Sequence, residues 1–333
     1  MRLGVVGAGR IGAFHATTLA GREQVEQLVV ADIRPEAAAQ LAADNGWQHA
    51  EVDDLLAQVD GVVITSSTSS HADMVRRAVG AGLPTFCEKP IAGTLEETLE
   101  VVELVEAGEV PVQVGFQRRF DAGYRKAREA VRSGELGFLH TVRANTHDQS
   151  PPPAAYIPTS GGLYRDCSVH DFDIIRFVTG REVASVYAVG ANKGDTFFTE
   201  GGDVDTAAAV LTLDDDTLVT VSATRYNGGG HDVRLEVMGS QGTIGVGYDD
   251  SLALRSAERG VHYPRGPQKW SFMERFLPAY QAELTAFCDV VAGQVPSPCT
   301  VRDAVQAFRV AEACELSRAK GQPVDLNQIG GAA

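Results

Sequence analysis

The sequence predicts an α/β protein of two domains, the first built on a doubly wound parallel sheet. A chain of 333 residues is long enough for two domains, each with a sizeable core. Its first third alternates apolar strand patterns with helical patterns, the order typical of a parallel sheet covered by helices. The strand patterns are residues 2–6, 27–31, 61–64, 84–87 and 110–115, and the helical patterns are 10–20, 35–45 and 71–80.

A glycine-rich turn separates the first strand pattern from the first helical pattern. Gly7 allows a tight turn, Gly9 lets a pyrophosphate approach the backbone, and Gly12 allows close packing of the helix on the sheet. The amides at the start of the helix, including those of Arg10 and Ile11, attract phosphate as well. The turn therefore predicts a dinucleotide-binding site.

A carboxylate at the end of the second strand pattern narrows the choice of cofactor. Asp32 lies 20 residues after Gly12, which is the usual position of an acidic side chain that binds the adenosine ribose hydroxyls. Because this carboxylate would repel the 2′-phosphate of NADP, we expect NAD, with NADP the less favoured cofactor. Arg34 is the competing signal, since it could stack on adenine or meet that phosphate.

Polar side chains follow the next strand patterns, and ligands of such sheets lie at the carboxyl ends of the strands. Pro90 biases Lys89 away from helical angles, so we expect the lysine at a bend just past a buried strand. There it could donate or accept a proton, the alternative being a solvated turn lysine. The cofactor-binding candidates of these segments are Thr65, Ser66, Ser67, His71, Glu88, Lys89 and Gln117.

A Gly-Gly turn opens a helical pattern at residues 161–173. At 100° per residue, Asp166, His170 and Asp173 fall within about 60° of one another on one face. Histidine titrates nearest physiological pH, and a neighbouring carboxylate can hold its ring in one orientation. The pattern indicates an acid–base site or, alternatively, a structural helix with a hydrogen-bonded histidine.

The chain resembles the Gfo/Idh/MocA oxidoreductases and, within them, the bacterial inositol 2-dehydrogenases. The motifs that carry the resemblance are Gly7-x-Gly9-x-x-Gly12, Glu88-Lys89-Pro90, residues 115–121 and residues 161–173. The resemblance implies a Rossmann domain at 1–119 and a C-terminal α/β domain at 120–333. The second domain is expected to contain a large, open, mostly antiparallel sheet, and its last helix to pack back on the first domain.

The resemblance also implies a catalytic set of Lys89, Asp166 and His170. His170 would accept the proton of the substrate hydroxyl, Lys89 would polarise its oxygen, and Asp166 would orient both. The substrate-binding candidates are Lys89, Arg118, His147, Asp148, Tyr156, Asp166, His170 and His231. For Arg118 the alternative is an ion pair, and for Tyr156 it is packing beneath the pocket. Residues 117, 147–149 and 229–232 depart from the usual inositol dehydrogenase pattern, so the resemblance defines the family more closely than the polyol.

Strand patterns dominate the second half of the chain. They are residues 139–145, 183–191, 206–213, 217–225, 231–238 and 243–246, and helical patterns follow at 276–292 and 301–318. One face of this sheet would close the substrate site, and Arg225 and Tyr226 are further candidates to reach the substrate. The other face should bury itself in a homodimer or homotetramer, because an open apolar sheet face is a liability in solution.

Composition excludes several classes of function. A net charge of −15, from 29 basic and 44 acidic residues, argues against nucleic-acid binding through a broad basic surface. Five scattered cysteines without CxxC spacing predict neither a metal site nor a disulfide framework, and they suit the cytoplasm. Met1-Arg2 runs directly into a strand pattern, so no signal peptide is expected, and no apolar run has the length of a membrane span.

These observations favour an NAD-dependent dehydrogenase that oxidises a secondary hydroxyl of a cyclic polyol, myo-inositol or a related inositol or sugar, to the ketone. Within enzymes, the alternatives are an NAD(P)H-dependent keto-sugar or keto-inositol reductase and a redox-neutral hydrolase or lyase that retains NAD. Outside enzymes, the alternative is a non-catalytic regulator that senses a sugar or a dinucleotide, because a fold alone does not establish activity.

Overall fold

A computed structural model describes residues 1–248, 257–261 and 271–330. The chain divides into two compact units, the first formed by Met1–Gln117 with Pro278–Val305 and the second by Arg118–Leu277 with Gln306–Ala333. The first unit thus also includes residues 278–305, which the sequence analysis places in the second domain. Of the last helix, only residues 301–305 belong to the first unit.

The first unit contains a six-stranded sheet in the order β3-β2-β1-β4-β5-β6, with every neighbouring pair parallel. This confirms the predicted doubly wound sheet. The strands are β1 (Arg2–Val6), β2 (Gln27–Ala31), β3 (Gln48–His49), β4 (Gly61–Ile64), β5 (Thr85–Glu88) and β6 (Val112–Gly115). The helices between them are α1 (Arg10–Ala20), α2 (Pro35–Asn45), α3 (Val52–Leu56), α4 (Thr68–Gly80) and α5 (Leu95–Gly108).

Nearly every residue of β1, β2 and β4 is buried, as expected for a parallel sheet with both faces covered. Local chemistry fixes the helix ends. Pro35 occupies the first turn of α2, Gly46 ends that helix at a φ of 72°, and the Thr94 side chain caps α5 by accepting from the amide of Glu97.

A later helix, α9 (Phe272–Val291), completes the core of the first unit. Its residues Leu284, Phe287, Cys288 and Val290 share one apolar cluster with residues of β1, α1, β2, β4 and β5. Burial of these side chains explains why residues 278–305 belong with the N-terminal unit. The sequence analysis expects a return by the last helix, whereas the segment that belongs to the first unit, residues 278–305, contains most of α9 and only the first turn of α10.

The second unit contains a seven-stranded sheet in the order β12-β11-β7-β10-β9-β8-β13. Its pairs are antiparallel except β7 with β10, which confirms the mostly antiparallel sheet expected. The strands are β7 (Leu139–His147), β8 (Val183–Ala191), β9 (Thr206–Leu213), β10 (Leu218–Thr224), β11 (Asp232–Gly239), β12 (Thr243–Val246) and β13 (Val324–Asp325). The helices are α6 (Ala122–Arg132), α7 (Val169–Thr179), α8 (Phe197–Glu200) and α10 (Val301–Lys320).

The register of three of these strands brings polar side chains to one edge of the sheet. His147, the last residue of β7, pairs with Thr224, the last residue of β10, and with Asp232, the first of β11. The residues immediately beyond the strand ends, Asp148 and Arg225, therefore lie side by side. The Asp148 amide also donates to the carbonyl of Thr224 at 2.9 Å.

Residues 161–173 do not form the single regular helix that the pattern predicts. A π-helical turn spans Tyr164–Ser168, and α7 begins at Val169. One-turn π insertions are rare and often occur at functional sites. Asp166 lies in this turn, whereas His170 is the second residue of α7.

Candidate active site

The glycine turn of the first unit has the close packing that its spacing predicts. Gly7 has a φ of +113°, and a Cβ on Gly12 would lie 1.7 Å from the carbonyl oxygen of Gly7. A Cβ on Gly9, by contrast, would meet nothing within 4 Å. Gly9 is also the N-cap of α1 and makes no side-chain cap, and the N-terminus of a helix attracts anions.

Asp32 is joined to this turn by hydrogen bonds. One carboxylate oxygen accepts from the Ala8 amide at 2.7 Å, and the other accepts from the Arg34 amide at 2.9 Å. The Arg34 side chain is 65% exposed, with Nε 3.7 Å from Asp32. An open glycine beside an anchored acidic side chain fits a dinucleotide whose ribose carries free hydroxyls.

The remaining cofactor candidates divide into surface and structural positions. Ser67 and Arg10 are exposed, and Ser66 and Ile11 are half-buried. His71 is 2% exposed and bridges two segments, with Nδ1 2.7 Å from the carbonyl oxygen of Pro90 and Nε2 3.0 Å from that of Ser66.

Two further cofactor candidates, Thr65 and Gln117, have contacts or burial within the protein itself. The Thr65 hydroxyl donates to the carbonyl of Gly7 at 3.1 Å, and Gln117 is 4% exposed. Thr65 and His71 therefore support the shape of the glycine turn and of the segment after β5, so a cofactor contact is not needed to explain either residue.

Lys89 follows β5 directly, at the bend that Pro90 predicts, and the Lys89–Pro90 peptide bond is cis. The backbone amide of Lys89 donates to Glu88 Oε2 at 3.2 Å. The other oxygen of Glu88 lies 2.7 Å from Nε2 of His15, which is fully buried. No sequence signal pointed to His15, because a single histidine in a helical pattern is ordinarily a core residue.

In the second unit, Asp166 is held through both carboxylate oxygens. Arg225 Nη2 donates to Oδ2 at 2.6 Å, and the Tyr156 hydroxyl donates to Oδ1 at 3.0 Å. Burial and the negative charge of Asp166 both raise the pKa of Tyr156, so this hydroxyl keeps its proton and donates. Four residues further along, His170 is half-buried.

Arg225 also reaches a second carboxylate. Its Nη1 lies 3.2 Å from Asp148 Oδ2, and Asp148 Oδ1 lies 3.2 Å from His231 Nδ1. Burial raises the pKa of Asp148, but the hydrogen bond from His231 and the charge of Arg225 outweigh burial, so the net shift is downward. The sequence named Asp148, Tyr156 and His231 as substrate contacts, whereas in the structure they bind one another or Asp166.

His147 lies beside this group at the end of β7. Its Nε2 is 2.7 Å from the Ser222 hydroxyl, and its Nδ1 is 4.0 Å from Asp232. Burial lowers its pKa more than the nearby Asp232 raises it. The lowered pKa favours the neutral ring at physiological pH, in which one nitrogen donates a hydrogen bond and the other accepts one.

Two arginines that precede α6 form closed ion pairs. Arg118 donates to Asp171 at 2.6 Å and to the Thr146 hydroxyl at 2.8 Å, and Arg119 binds Asp173 with two nitrogens. Arg118 is 3% exposed, so the ion-pair alternative describes it better than the substrate contact predicted. Asp173 therefore has a structural role as the partner of Arg119, and it is not grouped with Asp166 and His170.

Family comparisons agree with this division into two units. Residues 1–116 match the oxidoreductase family with an NAD-binding Rossmann fold, and residues 124–245 match the GFO/IDH/MocA C-terminal domain. The chain belongs to the Gfo/Idh/MocA oxidoreductase family. This confirms the predicted family, the dehydrogenase class and NAD as the cofactor.

Similar proteins within the family cover the whole chain. A myo-inositol dehydrogenase of Streptomyces leeuwenhoekii is 38% identical over 96% of this chain and 98% of its own. The crystal structure of a myo-inositol dehydrogenase from Corynebacterium glutamicum has a TM-score of 0.89 at 34% identity, covering 100% of this chain and 99% of that one. A scyllo-inositol dehydrogenase from Lactobacillus casei, solved with NAD(H) and scyllo-inositol, has a TM-score of 0.88 at 28% identity over 98% and 99%.

Two features are absent from the described residues, 1–248, 257–261 and 271–330. None of the helices they form combines the length and apolarity needed to cross a membrane. Within the same ranges, no three His, Cys, Asp or Glu side chains are grouped so that they could hold a metal ion.

Proposed function

We propose that this protein oxidises a secondary hydroxyl of a cyclic polyol, myo-inositol or a closely related inositol, to the ketone. The observation that carries the proposal is the likeness over almost the full chain to the Lactobacillus casei enzyme that contains both NAD(H) and scyllo-inositol. The anchored Asp32 and the open Gly9 add support for NAD, and the polar strand ends of the second unit suit a ligand rich in hydroxyls.

We assign Lys89, Asp166 and His170 to one catalytic set. NAD, when bound, supplies the hydride acceptor. His170 accepts the hydroxyl proton, Lys89 stabilises the negative charge that develops on the oxygen, and Asp166 orients the substrate and the histidine. The support is the family's motif order together with the hydrogen bonds that keep the Asp166 carboxylate in place.

A substrate panel tests the proposed function. Purified protein is mixed with NAD or NADP and with single inositols, hexoses and open-chain polyols, and NADH absorbance is recorded. We expect turnover with NAD and at least one inositol, and little with NADP. Turnover only of a ketone with NADPH would contradict the oxidative direction, and no turnover with any member would contradict the substrate class.

Replacement of Lys89 tests the catalytic set. Lys89→Ala should lower kcat on the order of 10³-fold, since the variant can no longer stabilise or protonate the oxygen. NAD binding, measured by calorimetry, should persist. Lys126→Ala removes an exposed lysine of α6 and serves as the matched control. Loss of NAD binding in Lys89→Ala would identify the lysine as a cofactor or structural residue.

We also propose that the protein is a homo-oligomer, a dimer or tetramer, joined through one face of the second sheet. Tyr187, Val189, Val210 and Leu218 are between 42% and 53% exposed, and the strand register places them on the same face. Exposed apolar groups this close together favour burial by association. Sedimentation velocity should show at least a dimer, and Val210→Asp should yield monomers. A monomeric wild type would contradict the proposal.

Finally, we propose a cytoplasmic location. All five cysteines are buried free thiols, which suits a reducing compartment. Fractionation of cells that express the protein tests this, and recovery from the periplasm or the medium would contradict it.

A further inference from the structure

A line of hydrogen bonds runs through the second unit and ends at Asp166. The Asp148 carboxylate can only accept, so Nδ1 of His231 carries the proton and donates to it. Asp148 then shares Arg225 with Asp166, at 3.2 and 2.6 Å. The Tyr156 hydroxyl holds the remaining oxygen of Asp166. One guanidinium thus donates to two carboxylates.

The backbone around this line is fixed by the sheet. The amide of Arg225 donates to the carbonyl of Asp205 at 2.8 Å, and the amide of Asp148 donates to that of Thr224 at 2.9 Å. The Arg225 side chain is only 4% exposed, so it has little freedom to adopt another orientation. Asp166, in contrast, lies in a π turn, and side-chain partners from other segments fix where its carboxylate points.

We propose that Arg225 is the positioning residue of the active site, holding the Asp166 carboxylate in its catalytic orientation while Asp148, itself bonded to His231, holds the guanidinium. This inference rests on the proposed function, because it gives Asp166 a catalytic role. Asp148, Tyr156 and His231, which the sequence analysis names as substrate contacts, then act indirectly by holding Asp166 or Arg225 in place. Arg225 gains a role that the spacing of motifs did not give it.

Arginine suits this position for a geometric reason. Its planar fork presents separate nitrogens in fixed directions, so one side chain can bind Asp148 through Nη1 and Asp166 through Nη2. The ammonium group of lysine is a single point and cannot reproduce both contacts at once. Arg225→Lys therefore keeps the charge that stabilises the fold and removes the bridge.

The test compares Arg225→Lys with a matched control, Arg176→Lys. Arg176 is also buried and binds Glu182 through two nitrogens at 2.6 Å, yet it lies at the far end of α7. We expect Arg225→Lys to lower kcat roughly 10- to 100-fold, since a displacement near 1 Å can cost this much, with KM for the polyol changed less than about threefold. The control should retain kcat within about twofold of wild type.

Tyr156→Phe provides a second kinetic test. Because Tyr156 is 41% exposed, we expect the variant to fold normally. It should lower kcat by about tenfold, and the double variant should lose less than the product of the two single losses, because both changes release the same carboxylate. Equal kcat in Arg225→Lys and Arg176→Lys would overturn the proposal. A raised KM with unchanged kcat would overturn it too, since that pattern describes a direct substrate contact.

Crystal structures of wild type and Arg225→Lys provide a measurement independent of turnover. We expect the Asp166 carboxylate of the variant to rotate away from its wild-type position and to lose the Tyr156 hydrogen bond. If the wild type oxidises no polyol, the proposed function fails and these structures alone decide the role of Arg225. A carboxylate that moves supports positioning, and one that stays in place refutes it.

Discussion

Two buried arginines of the second unit make a natural comparison. Arg118 and Arg225 have side chains that are each 4% exposed, and each donates to an aspartate at 2.6 Å. Their partners differ in exposure, since Asp171 is 1% exposed whereas Asp166 is 13% and Asp148 is 23% exposed. Arg118 binds one carboxylate, and Arg225 is shared by two.

This difference distinguishes an ion pair that only stabilises the fold from carboxylates that a ligand can reach. Asp171 accepts from Arg118 and, through both oxygens, from the Thr146 hydroxyl, so a ligand has no route to it. Asp166 and Asp148 retain solvent-accessible surface, and both bind Arg225. Hydroxyl groups are hydrogen-bond donors, so a polyol is attracted to the second arrangement. We call Arg118–Asp171 the closed pair and Arg225 with its two aspartates the open pair.

The largest effect on catalysis is expected in the open pair. Asp166→Asn keeps the size of the side chain and one acceptor but removes the charge that orients the catalytic groups. We expect kcat/KM to fall about 10³-fold, within the range found when a carboxylate that orients a catalytic histidine is neutralised. The melting temperature should change by less than about 4 °C, since Arg225 retains Asp148. Steady-state kinetics and thermal unfolding check both parts, and normal turnover would remove Asp166 from the catalytic set.

The sequence predicted the backbone features of this protein better than its side-chain pairings. Gly7, Gly9 and Gly12 were identifiable from their spacing, and the structure shows why two of them are glycine: Gly7 has a positive φ and Gly12 has no room for a Cβ. Most strands of both sheets followed from alternating or continuous apolar patterns, whereas the two-residue strands β3 and β13 were not predicted. Such signals are local, and they specify a fold without any knowledge of distant contacts.

The pairings could not be predicted because they depend on register and on a local irregularity. Asp148, Arg225 and His231 lie beside the ends of β7, β10 and β11, which the strand register brings together, whereas Asp166 comes from the π turn. A period of 3.6 residues placed Asp173 beside Asp166, whereas the π turn changes the spacing and Arg119 binds Asp173. The sequence named Asp148, Asp166, Arg225 and His231 as site candidates, and it did not predict the hydrogen bonds among them.

The closed pair should show the opposite response to substitution. Asp171→Asn leaves the Arg118 guanidinium buried without its counter-charge, and arginine cannot relieve this by losing a proton. We expect a loss of about 3–5 kcal/mol in the free energy of unfolding. The kcat of the folded fraction should stay within about threefold of wild type. Urea unfolding and kinetics at low temperature measure the two quantities, and a loss of kcat without a loss of stability would place Asp171 in the site.

The smallest expected effect is on the pH dependence of stability. It tests whether the charge of Arg225 stabilises the partly exposed Asp148 carboxylate. The pKa of Asp148 is lowered in the folded protein, because the His231 hydrogen bond and the Arg225 charge outweigh burial. A depressed carboxyl pKa stabilises the fold at any pH above the unfolded value of about 3.9, and this contribution is lost as pH falls through the folded value. The unfolding free-energy difference between wild type and Asp148→Asn should therefore be larger at about pH 5 than below about pH 4. Urea titrations across this range measure it. A difference that grows in acid would mean that burial dominates at Asp148 and that Arg225 holds Asp166 alone.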